Sequence, residues 1–122
     1  MIGFHLPAIA KPAMPVSATK TTQVNAWVKI GSDNTITIIC HRSEMGQGTY
    51  TSMPMLVAEE LEVDLARVKI EMAPADAVYI NSLLGGQLTG GSTSVRDAWT
   101  SLRLVGAQAR MMLVSEIGRA HV

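Results

Sequence analysis

The sequence predicts an α+β fold: a small sheet of about three strands with two helices packed on one face. Three observations carry that reading. Two β-rich runs, residues 26–30 and 36–40, flank the cluster Gly31-Ser32-Asp33-Asn34-Thr35. Two longer stretches repeat apolar residues at helical spacing, and the order along the chain is strand, strand, helix, strand, glycine-rich loop, helix.

The elements follow in order. Residues 1–22 hold Pro7, Pro12 and Pro15 with no sustained period, and read as an extended arm. The next two runs form a hairpin, because Gly, Asp and Asn tolerate the dihedrals of a tight turn. From Ser52 to Glu62, Met53, Leu56, Val57 and Leu61 recur at helical spacing. Pro54 belongs in that helix's first turn, where a missing N–H costs nothing, so the start falls near Thr51 or Ser52. Val68 to Met72 alternates as a strand with one buried face.

A glycine-rich loop, Leu84 to Ser94, leads into a second helix from about Val95. Its buried stripe is expected at Val95, Ala98, Trp99, Leu102, Gly106, Ala109 and Leu113. Ser94 and Asp97 have the spacing of an N-terminal capping pair. Gly106 costs about 1 kcal/mol of helix propensity, which another backbone approaching closely would offset.

Composition bounds the function. The chain has 122 residues, enough for one domain at most, and balances ten Lys+Arg against ten Asp+Glu. That balance argues against a nucleic-acid partner, which calls for a basic patch. Only 16% of residues are charged, where roughly 25% is usual, so much of the surface expects a partner. Eight methionines against one Phe, two Trp and two Tyr also fit a piece of a larger packed body, although a small hydrophobic domain has the same signature. The apolar start Met1 to Ala10 falls short of the roughly 20 residues a membrane span takes, so no transmembrane segment is expected. Ala8-Ile9-Ala10 has the small-x-small form of an export cleavage site. One cysteine excludes an internal disulfide, and with three scattered histidines it builds no structural zinc site.

The chemistry concentrates in two glycine-bearing loops, Glu44 to Thr49 and Gly85 to Ser94, each running into a helix start. Unpaired N–H groups there favour anions, and glycine lets a ligand reach the backbone. Hydroxyls at Thr89, Ser92, Thr93 and Ser94 add donors, so phosphate or a pyrophosphate-bearing cofactor is the ligand class. Two tight connections with ordinary caps would look the same. Neither loop matches the P-loop or the dinucleotide fingerprint. His41, beside Arg42 and Glu44, is open to acid–base or metal chemistry, but a histidine at a strand end is more often simply hydrogen-bonded. Glu59, Glu60 and Glu62 read as a wet helix face, and Cys40 as a small buried residue. No catalytic constellation emerges, and no metal ligand is assigned.

The string Ser43-Glu44-Met45-Gly46-Gln47-Gly48, then Leu56-Val57-Ala58-Glu59-Glu60-Leu61, Ala73-Pro74-Ala75-Asp76 and Gly86-Gln87-Leu88-Thr89-Gly90-Gly91-Ser92-Thr93-Ser94, resembles the molybdopterin-binding subunit of the xanthine dehydrogenase family. The nearest branch is that of isoquinoline 1-oxidoreductase β-subunits and their aldehyde-oxidising relatives. The resemblance implies a chain belonging to a larger molybdopterin-binding domain. It implies a cofactor of molybdopterin with molybdenum in the cytosine dinucleotide form, with iron-sulfur clusters on a small partner subunit. Met45, Gly46 and Gln47 would contact the pterin, while Gly91, Ser92 and Ser94 would bind its phosphate-bearing part. Members hydroxylate aldehydes or N-heterocycles with oxygen from water. Gly3-Phe4-His5-Leu6-Pro7 resembles the segment after a twin-arginine export signal in that branch, which implies a periplasmic parent.

The expected organisation is an arm at 1–22, a partial molybdopterin-binding domain at 23–115 and a tail at 116–122. Glu116-Ile117-Gly118-Arg119-Ala120-His121-Val122 resembles a translated sequencing adapter, which would make the chain a fragment of a longer subunit and inactive alone. An authentic helix end capped at Gly118 is the alternative. A self-sufficient phosphate-binding or interaction module is the competing reading of the whole chain.

Overall fold

A computed structural model describes residues 20–120. The two export-related segments within residues 1–10 lie outside the described residues. The described fold is α+β, as expected, with four strands where about three were expected. Strands β1 (Thr21–Gln23), β2 (Val28–Gly31), β3 (Ile36–Cys40) and β4 (Val68–Met72) lie in sequence order across one sheet. The first three pair antiparallel, and β4 runs parallel to β3, with Ile36 opposite Val68 and Cys40 opposite Met72. Helix α1 (Thr49–Leu61) makes the crossover between β3 and β4, and α2 (Ser94–Ala120) packs along α1.

The turn after β2 works as read. Asn34 takes a left-handed φ of 61°, and the Thr35 amide donates to Asp33 at 3.0 Å. Strand β2 begins two residues later than Ala26, because the Asn25 side chain first accepts from the amides of Trp27 and Val28, both at 2.9 Å. Strand β1 begins within the stretch expected as the arm and runs one residue past it. It has three residues, all exposed, and no alternation to betray it; its pairing with β2 alone defines it.

Helix α1 also departs from expectation. It begins at Thr49, which puts Pro54 in the second turn, buried, where its ring removes an intrahelical hydrogen bond. The early start is held instead by the Gly48 carbonyl, which accepts from the Thr51 and Ser52 amides at 3.1 and 2.9 Å. Strand β4 does not bury one face: Val68 is half-buried and Lys69 to Met72 are exposed, since β4 is the sheet's edge.

The core joins Val28, Ile38 and Ile39 of the sheet to Met53, Val57 and Ala58 of α1 and to Ala98, Leu102 and Ala109 of α2. The expected backbone approach at Gly106 is present: a Cβ there would stand 2.5 Å from the Val57 carbonyl oxygen. Trp99 is the error in the stripe, being 51% exposed. Ala98, Leu102, Gly106 and Ala109 make a narrow seam of mostly small residues, and Trp99, one step around the helix, falls on its rim under the Arg103 guanidinium, 5.4 Å away. Of the three glutamates expected on a wet face, Glu59 and Glu62 are exposed and Glu60 is half-buried. Glu60 takes Arg103 at 2.7 Å, tying α1 to α2, and Glu62, just past the end of α1, takes Arg110 at 2.9 Å. Glu116 to Arg119 continue α2 as exposed turns, with an Arg119–Glu116 pair at 2.8 Å.

Candidate functional site

Because β3 and β4 are parallel, the chain leaves both from the same end of the sheet, the rim where ligands collect in parallel sheets. The loop after β3, residues 41–48, and the segment after β4, residues 73–93, therefore start side by side. The Ala73 amide donates to the Cys40 carbonyl at 2.9 Å and keeps them in step one residue past the ladder.

Beneath the loops lies a buried polar network. Arg42 is fully buried; its Nη1 donates to the carbonyls of His41 and Tyr79, both at 2.9 Å, and its Nη2 to Asp97 Oδ2 at 2.7 Å. Asp97 Oδ1 accepts the Ser82 amide at 2.9 Å and the Ser82 hydroxyl. Burial pushes the Asp97 carboxyl up, but the Ser82 hydrogen bonds and the Arg42 charge outweigh it and hold the group below the ordinary carboxylate value. Burial pulls the Arg42 guanidinium down against the pull of Asp97, yet a guanidinium stays charged in a protein. The capping pair read from Ser94 and Asp97 is thus not made: Asp97 points into this network, and its amide donates to the Thr93 carbonyl at 2.8 Å.

Asn81, fully buried, donates to Thr93 Oγ1 at 2.7 Å, and Thr93 Oγ1 in turn donates to the Gly90 carbonyl at 2.7 Å. Thr93, expected among the free hydroxyls, is spent inside the loop. His41 stacks edge-on to Trp27, 4.5 Å between centroids, with its Nδ1 lacking any hydrogen-bond partner among the described residues. The simple hydrogen-bonded role expected for it does not hold at that atom. Burial and then the Arg42 charge hold its imidazole down to about 4, so it is neutral at neutral pH. Among the described residues no three His, Cys, Asp or Glu groups are placed to hold a metal. Cys40 is buried as read, its thiol pushed up by burial and donating to the Arg42 carbonyl at 3.4 Å.

The first glycine loop is closed by its own side chains. Glu44 Oε1 accepts the amides of Gly46 at 2.7 Å and Gly48 at 3.1 Å, and Oε2 accepts that of Tyr50 at 2.8 Å. Those amides, Tyr50's and Gly48's foremost, hold the Glu44 carboxyl below its ordinary value. Gln47 accepts from the Met45 amide at 2.6 Å and donates to the Ser43 carbonyl at 2.7 Å. Met45, 70% exposed, Gly46 and Gln47 stand on the surface, and nothing lies within 4 Å of a Cβ built on Gly46.

The second loop is built differently. Gly91 and Ser92 are consecutive left-handed residues, φ 59° and 53°, both exposed, and half-buried Ser94 opens α2. Among the described residues nothing accepts from the amides of Ser94, Val95 or Arg96. The start of α1 is thus occupied by an internal carboxylate, while the start of α2 keeps its donors. The two loops meet where the Ser43 amide donates to Thr89 Oγ1 at 2.8 Å.

The donor set fits a ligand of mixed character: spare amides and hydroxyls for an anionic part at Gly91 to Ser94, and an open glycine turn with an exposed methionine beside it. Sequence reasoning missed the capping role of Glu44, although an acid just before a glycine-bearing helix start is a readable signal. It also missed the Arg42–Asp97 pair, whose members are 55 positions apart with no local pattern to join them.

Known proteins resemble this chain over most of its length. A family model described as molybdopterin cofactor-binding domain matches residues 3–116. Isoquinoline 1-oxidoreductase subunit beta of Brevundimonas diminuta is 42% identical over 97 residues, covering 78% of this chain and 12% of that protein. The membrane-bound aldehyde dehydrogenase [pyrroloquinoline-quinone] of Gluconacetobacter polyoxogenes is 32% identical over 98% of this chain and 15% of its own length. Xanthine dehydrogenase of Blastobotrys adeninivorans is 36% identical over 74 residues, 61% of this chain. The chain thus spans 12% and 15% of the first two relatives. With its two glycine turns rising from one end of a parallel strand pair, the chain belongs to the molybdopterin cofactor-binding domain family.

Proposed function

We propose that this chain forms one wall of the cofactor seat in a molybdenum hydroxylase large subunit. Met45, Gly46 and Gln47 contact the pterin, and Gly91, Ser92 and Ser94 hold the phosphate-bearing part of a cytosine dinucleotide form. The observation that carries this reading is the pairing of the two loops through Ser43 and Thr89 at one rim of the sheet. The division of labour follows from charge. Glu44 fills the α1 amides with a carboxylate and so disfavours a phosphate there, whereas the α2 start offers unpaired N–H groups and the Ser92 and Ser94 hydroxyls. When bound, the cofactor supplies two-electron oxidation of an aldehyde or N-heterocycle with oxygen from water.

The chain's own residues bind and orient; none is assigned a catalytic role. The remainder of a large subunit and a small iron-sulfur subunit are the proposed partners, which the exposed Met55, Ile70, Met72 and Trp99 support. A periplasmic location is proposed on the export-like segment Gly3 to Pro7. Among the described residues no helix is long and apolar enough to cross a membrane.

Titration of the 122-residue protein with molybdopterin cytosine dinucleotide, followed through backbone amide resonances, tests the seat. Saturable shifts are expected at Gly46 and at Gly91 to Arg96 together. Shifts at neither loop would sink the assignment. The loaded polypeptide alone is expected to turn over no aldehyde or heterocycle.

A further inference from the structure

We propose that Thr89 is a positioning residue: its hydroxyl is the clasp that holds the first glycine loop in register with the second. The inference rests on the cofactor reading given above and names a residue outside the six contacts of that reading. Ser43 stands immediately before Glu44, whose carboxylate organises Gly46, Gly48 and Tyr50, and Thr89 stands immediately before the Gly90-Gly91 turn. The Ser43 amide donating to Thr89 Oγ1 at 2.8 Å thus joins the two turns at their roots.

The rest of the rim leaves this task to Thr89. Gln47 spends both ends of its side-chain amide inside the first loop, on Met45 and Ser43. Glu44 spends its carboxylate there as well. In the second loop, Thr93 is bound to Asn81 and Gly90, which fixes that turn internally without reaching the first. Arg42 and Asp97 tie the loop bases to α2 from below, but act at Tyr79, Ser82 and the α2 first turn rather than at the glycine turns. Both turns also contain exposed residues with open space around Gly46 and Gly90, so packing does not hold them together. The Thr89 hydroxyl proton has no acceptor among the described residues, so the clasp can accept from Ser43 and still donate outward.

Holding two loops at one spacing matters because a ligand touching both must otherwise order them on binding, a cost that appears as lost affinity. Thr89→Val keeps the shape and removes the acceptor; Thr89→Ser restores it. Two measurements on the full chain decide the matter. Without ligand, amide hydrogen exchange at Ser43 and through Met45 to Gln47 is expected to quicken in Thr89→Val and return toward the native rate in Thr89→Ser, with the melting temperature little changed. Unchanged exchange at Met45 to Gln47 in Thr89→Val would overturn the clasp whether or not any cofactor binds. With molybdopterin cytosine dinucleotide, binding is expected to weaken about tenfold in Thr89→Val and recover in Thr89→Ser, the loss of one hydrogen bond. Equal affinity of Thr89→Val and native protein would also overturn it. No binding by the native protein would instead remove the cofactor reading, while the exchange result still decides the clasp.

Discussion

Gly106 shows how a single position can be read twice. In sequence it is a helix breaker in mid-stripe; in the structure its missing Cβ is the space filled by the Val57 carbonyl, 2.5 Å from where that carbon would stand. Ala gains helix propensity of about 1 kcal/mol, but backbone cannot yield as a side chain does. Gly106→Ala is therefore expected to destabilise the fold by about 1–3 kcal/mol, measured as a lower urea midpoint. A stabilised variant would mean that α1 and α2 have slack between them. Glu44 is the reverse case. In sequence it is one acid among several beside a glycine turn, and only the fold shows its carboxylate gathering three amides that a ligand would otherwise use.

Among the elements, α2 is tied to the sheet rim by a buried ion pair. Arg42 and Asp97 side chains are 0% and 6% exposed. Removing one partner leaves a buried charge uncompensated, so Asp97→Ala should cost about 3–5 kcal/mol in chemical denaturation. Replacing both, Arg42→Met with Asp97→Leu, should recover most of that loss, since apolar groups of similar volume often substitute for buried ion pairs. Failure of the double variant to recover would mean that Ser82, His41 and Tyr79 also depend on the pair. Strand β3 and strand β4 were legible to the residue, because each is a β-rich run bounded by turn residues. Strand β1 was not, because three exposed residues become a strand only by pairing with a partner the local pattern does not name. Trp99 was misplaced for a related reason: periodicity gives a face but not its width, and the small residues of the α1–α2 seam make that face narrow.

For the molecule as a whole, stability should fall in acid, in two stages. His41 is held near 4 in the folded chain against an ordinary 6.5, so between those values the unfolded chain binds a proton that the folded chain refuses. The groups facing it are the Trp27 and Tyr79 rings, the Arg42 guanidinium and, farther off, the Asp97 carboxylate. Stability is then full above pH 6.5 and falls by up to about 1.4 kcal/mol per pH unit down to about pH 4. Asp97 and Glu44, held below 3.8 and 4.5, withdraw their shares only below those values, as pH drops through their folded values. Urea midpoints at pH 7.5, 6 and 5 should decline in the native protein and stay flatter in His41→Phe; parallel declines would exclude His41 as the source. A groove of about 480 Å³ lined by Met55, Leu56, Val95 and Trp99 adds to the exposed apolar surface that the low charge content foretold.

By itself the sequence determined the α+β order of elements, the hairpin turn, the close approach at Gly106 and the two glycine turns that open helices. Those are local matters, decided by dihedral preference, periodicity and the absence of a Cβ. Only the tertiary structure decided that Glu44 fills one helix start while the other keeps its donors, that Arg42 finds Asp97, and that Ser43 reaches Thr89. Each of these depends on backbone groups brought together by the parallel pairing of β3 with β4, and no residue pattern along a chain records which amides a distant side chain will satisfy.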